Sequence, residues 1–264
     1  MSAITSTTLY LHEESWRNEN VRSKLTRILT YPRYDEELAY SRLTVLKNTG
    51  VEAIILSGGV QIDRLQILGK GTNALVVKGL YKGSLVAIKI LRVDAHRASL
   101  ENEATILNYI SNTNISPRVL SSSNWFIVME YIEGKPLETF LDEIFTLTKG
   151  ELDNFLKNLL DKLYILDSCS VDHGELTNPR KHIIVLPNLH TKVIDYESAS
   201  INRKPKNLTS VLQFLFIRSK VAEYLRNLYQ IDKNTLIVLL RNYKRSGYSK
   251  EGYLRILEHL GIQT

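Results

Sequence analysis

Cys169 is the only cysteine in 264 residues. One thiol excludes an internal disulfide framework and any zinc cluster built on thiolates, and a buried, inert side chain is expected there. No apolar run approaches the roughly 20 residues that a membrane span needs. The stretch Met1 to Ser15 has no basic segment followed by an apolar one. A cytoplasmic location with no membrane partner is therefore expected. Internal repeats and low-complexity segments are missing too. The composition that is present, 44% hydrophobic and 23% charged, is that of an ordinary folded chain.

Acidic residues are scarce in the last quarter. Ile201 to Thr264 holds 12 Lys and Arg against four acids, Glu223, Asp232, Glu251 and Glu258, while 22 basic and 24 acidic residues precede it. The net charge of +6 thus belongs wholly to this quarter. Two readings stay open, a set of solvated helix faces or contact with an acidic or nucleic-acid partner.

Asp35-Glu36-Glu37 reads as a helix start, followed by Ala39, Leu43 and Leu46 at helical spacing and a stop at Asn48-Thr49-Gly50. Short β-rich runs follow, Ala53 to Leu56 and Gln61 to Leu68, and strands and turns continue to Leu91. Asp94 to Ser111 is predicted as a helix with Leu100, Ala104, Leu107 and Ile110 on its apolar face. Trp125 to Met129 is a further buried strand, and Glu133-Gly134-Lys135-Pro136 is turn material that suits a lobe boundary. Thr148 to Glu151 fits a capping box that opens a long helix with a stripe from Leu152 to Leu166. Basic helices are predicted over Leu208 to Tyr229, Asn234 to Tyr243 and Glu251 to Leu260.

Gly69-Lys70-Gly71-Thr72-Asn73-Ala74 nearly matches G-x-G-x-x-G. A dinucleotide-binding loop with these glycines would open a helix. Here two β-runs follow instead, Leu75-Val76-Val77 and Leu85 to Leu91, joined by Tyr81-Lys82-Gly83-Ser84. On the second run the period of two puts Lys89 on one face with Leu85, Ala87 and Leu91. An ammonium flanked by apolar residues needs an anion, either a nucleotide phosphate or a carboxylate. Glu103 is the carboxylate of choice, because it sits between Leu100 and Leu107 on the inward edge of the next helix.

The order Gly-rich loop, Val86-Ala87-Ile88-Lys89, Glu103, Val128 to Gly134, His173-Gly174-Glu175-Leu176 and Ile194-Asp195-Tyr196-Glu197-Ser198 resembles that of protein kinases. It is most similar to an archaeal group of predicted Ser/Thr protein kinases, near the RIO kinases and the small kinase of the KEOPS complex. Arg92 to Arg97 shares in that similarity. The resemblance implies an α+β, two-lobed protein-kinase-like fold. An N-terminal helical extension would cover residues 1–60, a kinase N-lobe 61–132 and a reduced helical C-lobe 133–264.

The resemblance also implies ATP with magnesium, or manganese in its place, and a cofactor-binding set of Gly69, Lys70, Gly71, Ala74, Val76, Ala87 and Lys89. Adenine would meet the backbone carbonyl of Glu130 and the N–H of Ile132, beside Met129. Glu175 stands where kinases carry the catalytic Asp, with Lys89 and Glu103 as its catalytic companions. Asp195 stands at the metal-binding Asp, and His182 at the second ligand, normally Asn. Imidazole is a poor ligand for magnesium. Either Asn178 supplies that oxygen, or His182 touches phosphate or simply packs. No Ala-Pro-Glu occurs, and Ser198 to Leu208 is too short for a long activation loop.

The expected reaction is transfer of the γ-phosphoryl group to protein Ser or Thr hydroxyls, the chain's own included. Two other readings are an ATP-binding pseudokinase or ATPase switch that assembles RNA-protein particles through the basic C-terminal region, and a small-molecule kinase.

Overall fold

The computed structural model describes residues 7–263. The chain forms two compact units, one made of residues up to Ala104 with Arg118–Tyr131, the other of Thr105–Pro117 with the chain from Ile132 on.

In the first unit, β1 (Thr7–Tyr10), α1 (Glu13–Arg17), α2 (Glu19–Leu29) and α3 (Glu36–Asn48) lead into β2 (Val51–Leu56). Asp35 caps α3 by accepting the Leu38 N–H at 2.9 Å. Ala39, Leu43 and Leu46 are its buried face. Next come β3 (Val60–Ile62), β4 (Leu65–Ile67), β5 (Gly69–Lys70), β6 (Ala74–Tyr81) and β7 (Ser84–Leu91). Gln61 to Leu68, expected as one run, folds back as the β3–β4 hairpin, with Asp63 at φ 51° in its turn. Lys82 and Gly83, at φ 47° and 75°, make the tight turn between β6 and β7.

The helix α4 (Glu101–Tyr109) is shorter than the expected Asp94 to Ser111. Asp94 is drawn back onto Arg92, at 2.7 Å, and so does not start a helix. The Leu100 N–H instead donates to the carbonyl of Asn124. β8 (Val119–Ser122) and β9 (Phe126–Glu130) complete an antiparallel sheet of order β1-β2-β6-β7-β9-β8, with β5 paired on β6. Residues 7–60 thus add helices and also two strands. Leu25, Ile28, Leu46, Ile54, Val77, Val86, Ile88 and Phe126 form one continuous core in this unit.

The second unit starts its long chain segment with β10 (Lys135–Pro136), α5 (Leu137–Glu143) and α6 (Lys149–Ser168). Gly134 is needed here, because a Cβ would lie 2.5 Å from the Val185 carbonyl oxygen. The capping box forms as expected, since the Thr148 hydroxyl accepts the Glu151 N–H and the Glu151 carboxylate accepts that of Thr148. Leu152, Phe155, Leu156, Leu159, Leu163 and Leu166 are fully buried. β11 (Ile183–Val185) pairs with β10 and with β12 (Thr191–Val193), and a short 3₁₀ turn, Pro179–Lys181, precedes it.

The last expected group of helices is interrupted once. α7 (Asn207–Gln213) runs into a π-helical turn at Phe214–Arg218, and α8 (Ala222–Tyr229) starts anew. Ser219 breaks the run: it has extended backbone, and its hydroxyl donates to the Leu215 carbonyl at 3.0 Å. α9 (Lys233–Arg245) and α10 (Lys250–His259) follow, capped by Asp232 and Ser249. Cys169 is only half-buried, although burial does raise its thiol pKa. Among the described residues no helix is long and apolar enough to cross a membrane.

Candidate active site

Chemically active side chains collect in two constellations, one in each unit. In the first, β5 and β6 pair Gly69 with Val76 and Lys70 with Leu75, and the Gly71 N–H donates to the Ala74 carbonyl at 2.8 Å. Neither Gly69 nor Gly71 has positive φ. A Cβ would come no closer than 3.8 Å to another atom at Gly69 and 3.4 Å at Gly71. The fold itself thus tolerates a side chain at both positions.

Two residues that sequence reasoning gave no role hold this loop. Asn73 is buried, and its side-chain oxygen accepts the His96 N–H at 3.0 Å. Arg92 donates to the Gly71 carbonyl at 2.8 Å. The same guanidinium grips Asp94 in a two-pronged pair, which raises its own pKa and lowers that of Asp94.

On β7 the alternation is as expected: Val86, Ile88 and Ile90 fill the core, and Lys89 lies on the other face between Val76 of β6 and Ile127 of β9. Its Nζ is 2.9 Å and 2.7 Å from the two oxygens of Glu103, with 4% of Lys89 and 1% of Glu103 exposed. Glu103 is in the first turn of α4, next to buried Leu100 and Ala104. Desolvating both charges costs several kcal/mol each, and their mutual attraction offsets this only in close geometry. Ala87 is buried and faces Met129 across the ladder. Glu130 ends β9, its N–H donating to the Arg118 carbonyl, and half-buried Ile132 follows in the next unit.

The second constellation is built on the loop after α6. Its His173 is fully buried, with Nε2 donating to the Ile194 carbonyl at 3.0 Å. Burial lowers its pKa to about 4, so the ring is neutral at pH 7. Behind it, Asn207 accepts the His173 N–H at 3.0 Å and donates to the Asp167 carboxylate at 2.8 Å. Gly174 has φ +89°, and a Cβ there would lie 2.6 Å from the Ser198 carbonyl oxygen.

That kink presents Glu175. Its Oε1 accepts the Ser198 hydroxyl at 2.5 Å, and its Oε2 is 3.2 Å from His182 Nε2. His182 Nδ1 in turn lies 3.7 Å from Asp195 Oδ2. One imidazole therefore stands between the two carboxylates, packed edge-on to His173 at 5.4 Å. Asp195 follows β12 and has left-handed backbone, φ 68°, ψ 67°, a strained conformation that concentrates at functional positions. Asn178 is exposed, and its N–H donates to the Glu175 carbonyl at 3.0 Å.

Sequence reasoning missed the clamp behind this loop. Arg203 Nε donates to buried Asp172 at 2.9 Å, and Arg203 Nη2 to the Ser198 carbonyl at 2.5 Å. Ser198 lay inside a recognised motif, whereas Asp172 and Arg203 become partners only through the fold.

The protein kinase domain model matches residues 62–216, the stretch that carries both constellations. This chain belongs to that family. Protein kinases work with ATP and a divalent metal. A probable serine/threonine-protein kinase of Dictyostelium discoideum is 28% identical over 148 residues, which are 52% of this chain and 18% of that protein. The mitogen-activated protein kinase kinase kinase dlk-1 of Caenorhabditis briggsae is 27% identical over 146 residues, 54% of this chain and 16% of its own length. An uncharacterized protein of Methanocaldococcus jannaschii is 29% identical over 98 residues, 37% of this chain and 80% of that protein. The matches to the two kinases thus span less than a fifth of their length.

Proposed function

We propose that this kinase domain transfers the γ-phosphoryl group of Mg-ATP to Ser or Thr hydroxyls of a protein, with Glu175 as the general base. The observation that carries the reading is the bond from the Ser198 hydroxyl to Glu175 Oε1, which supports the role by putting this carboxylate within hydrogen-bond reach of an alcohol. Glutamate here has the proton chemistry of the usual aspartate.

Lys89, held by Glu103, has the position of the lysine that contacts phosphate in kinases. The glycines at 69 and 71, which the fold does not itself demand, leave room for the phosphates to approach the backbone.

For the metal, Asp195 offers a hard oxygen donor on a partly exposed side chain, which suits a magnesium ion that arrives with phosphate oxygens and water. Among the described residues no group of three His, Cys, Asp or Glu side chains could hold an ion. The residues fit an ion carried in by the nucleotide, which neutralises phosphate charge when bound. His182 faces two carboxylates, a setting for a hydrogen-bond donor rather than a magnesium ligand.

One observation favours a second reading, a nucleotide-binding switch without transfer: both oxygens of Glu175 already have partners. Exposed Lys233, Arg241, Lys244 and Arg245 on α9 support RNA contact in either case, and such binding should weaken steeply with salt. Incubation with γ-labelled ATP separates the readings, because a kinase labels protein whereas a switch releases only inorganic phosphate. Lys89→Ala and Asp195→Ala should each abolish labelling, and undiminished labelling in both would refute the assignment.

A further inference from the structure

We propose that Ser198 is itself a phosphorylation site of this chain, filled by transfer within the molecule. The inference rests on the kinase reading above and names its first acceptor. A general base must lie within hydrogen-bond reach of the proton it removes. The Ser198 hydroxyl already meets that condition, with its oxygen 2.5 Å from Glu175 Oε1. The serine is also held in place. The Ala199 N–H donates back to the Tyr196 carbonyl at 3.0 Å, and Arg203 donates to the Ser198 carbonyl at 2.5 Å. Both residues belong to one compact unit, so no second molecule is needed to bring the hydroxyl to the base.

In the step, the Ser198 oxygen forms a bond to the γ-phosphorus of ATP while the bond from that phosphorus to the β-phosphate bridging oxygen breaks. The hydroxyl proton passes to Glu175, and ADP leaves. The product brings a charge of about −1.5 to −2 beside the Glu175 carboxylate, which repels it. A cation is at hand on the other side. The Arg203 guanidinium, which donates through Nε to Asp172 and through Nη2 to the Ser198 carbonyl, carries the positive charge beside this residue and can give a phosphate a charge-assisted hydrogen bond. Phosphorylation therefore ends the Ser198–Glu175 bond and moves the residue toward Arg203.

The test incubates the purified full chain with magnesium and γ-labelled ATP and maps the label by mass spectrometry. Phosphoserine at 198 should rise toward one per chain, with a first-order rate constant that does not change over a hundredfold range of protein concentration. Ser198→Thr should carry phosphothreonine at the same position, which guards against a variant that merely misfolds, and Ser198→Ala should carry none there. Label on casein or on other residues of the chain, with none at 198, would overturn this inference and leave the kinase reading standing. A rate that grows with protein concentration would overturn transfer within the molecule. No label on any protein would overturn both.

Discussion

The ammonium of Lys89 and the carboxylate of Glu103 lie 2.7 Å apart, and both side chains are almost wholly buried. Removing one partner strands the other charge in the interior. Glu103→Ala should destabilise the fold by about 3–5 kcal/mol and abolish transfer. The double variant Lys89→Met, Glu103→Leu should be inactive yet more stable than Glu103→Ala. Urea unfolding would check this, and a double variant as unstable as the single one would show that the pair does not act as a unit.

Gly174→Ala tests the kink that presents Glu175. The residue would have to keep φ near +89° and place its Cβ 2.6 Å from the Ser198 carbonyl oxygen. A loss of about 1–3 kcal/mol is expected. Transfer should fall much further than ATP affinity, since Lys89 and the glycine loop belong to the other unit. Equal losses in both quantities would argue against a local effect on Glu175.

Asp167 gives a pH signature. Burial raises its carboxyl to about 6 against the donors that face it, Asn207, Tyr243 and the Leu208 N–H, with Tyr248 nearby. Between its ordinary pKa of 3.8 and about 6, the folded chain keeps a proton that the unfolded chain has lost. The group therefore stabilises most below pH 4, and that contribution fades as pH rises through 6, by about 3 kcal/mol in all. Asp167→Asn should remove this slope. The difference in unfolding free energy between the two proteins, followed from pH 4 to 7, would measure it, and a constant difference would contradict the assignment.

The parts legible in the sequence were those where chemistry and local pattern coincide. Lys89 stood out as a charge on an apolar strand, and Glu103 as an acid on an apolar helix edge, so their pairing could be expected before the fold was seen. The capping box at Thr148 and the stripe down α6 were equally local signals. The start of α4 was not legible, because Asp94 looks like a helix cap until Arg92 claims it. Nor was the division at Ser219, where one hydroxyl turns back on its own helix. The Arg203–Asp172 clamp joins residues 31 positions apart, and no periodicity reports such a pair. Arg203 read only as part of a basic stretch, although its work is to hold the loop around Glu175.

The central claim is that Glu175 takes the proton of the accepting hydroxyl. Glu175→Gln keeps the side chain's size and its ability to accept a hydrogen bond, but it removes the base. Transfer from γ-labelled ATP to casein and to Ser198 should be timed in single turnovers for wild type and Glu175→Gln at saturating ATP. The account predicts labelling by the wild type and a rate about 10²–10⁴-fold lower in the variant, with nucleotide affinity little changed. Labelling at an undiminished rate in Glu175→Gln would contradict it.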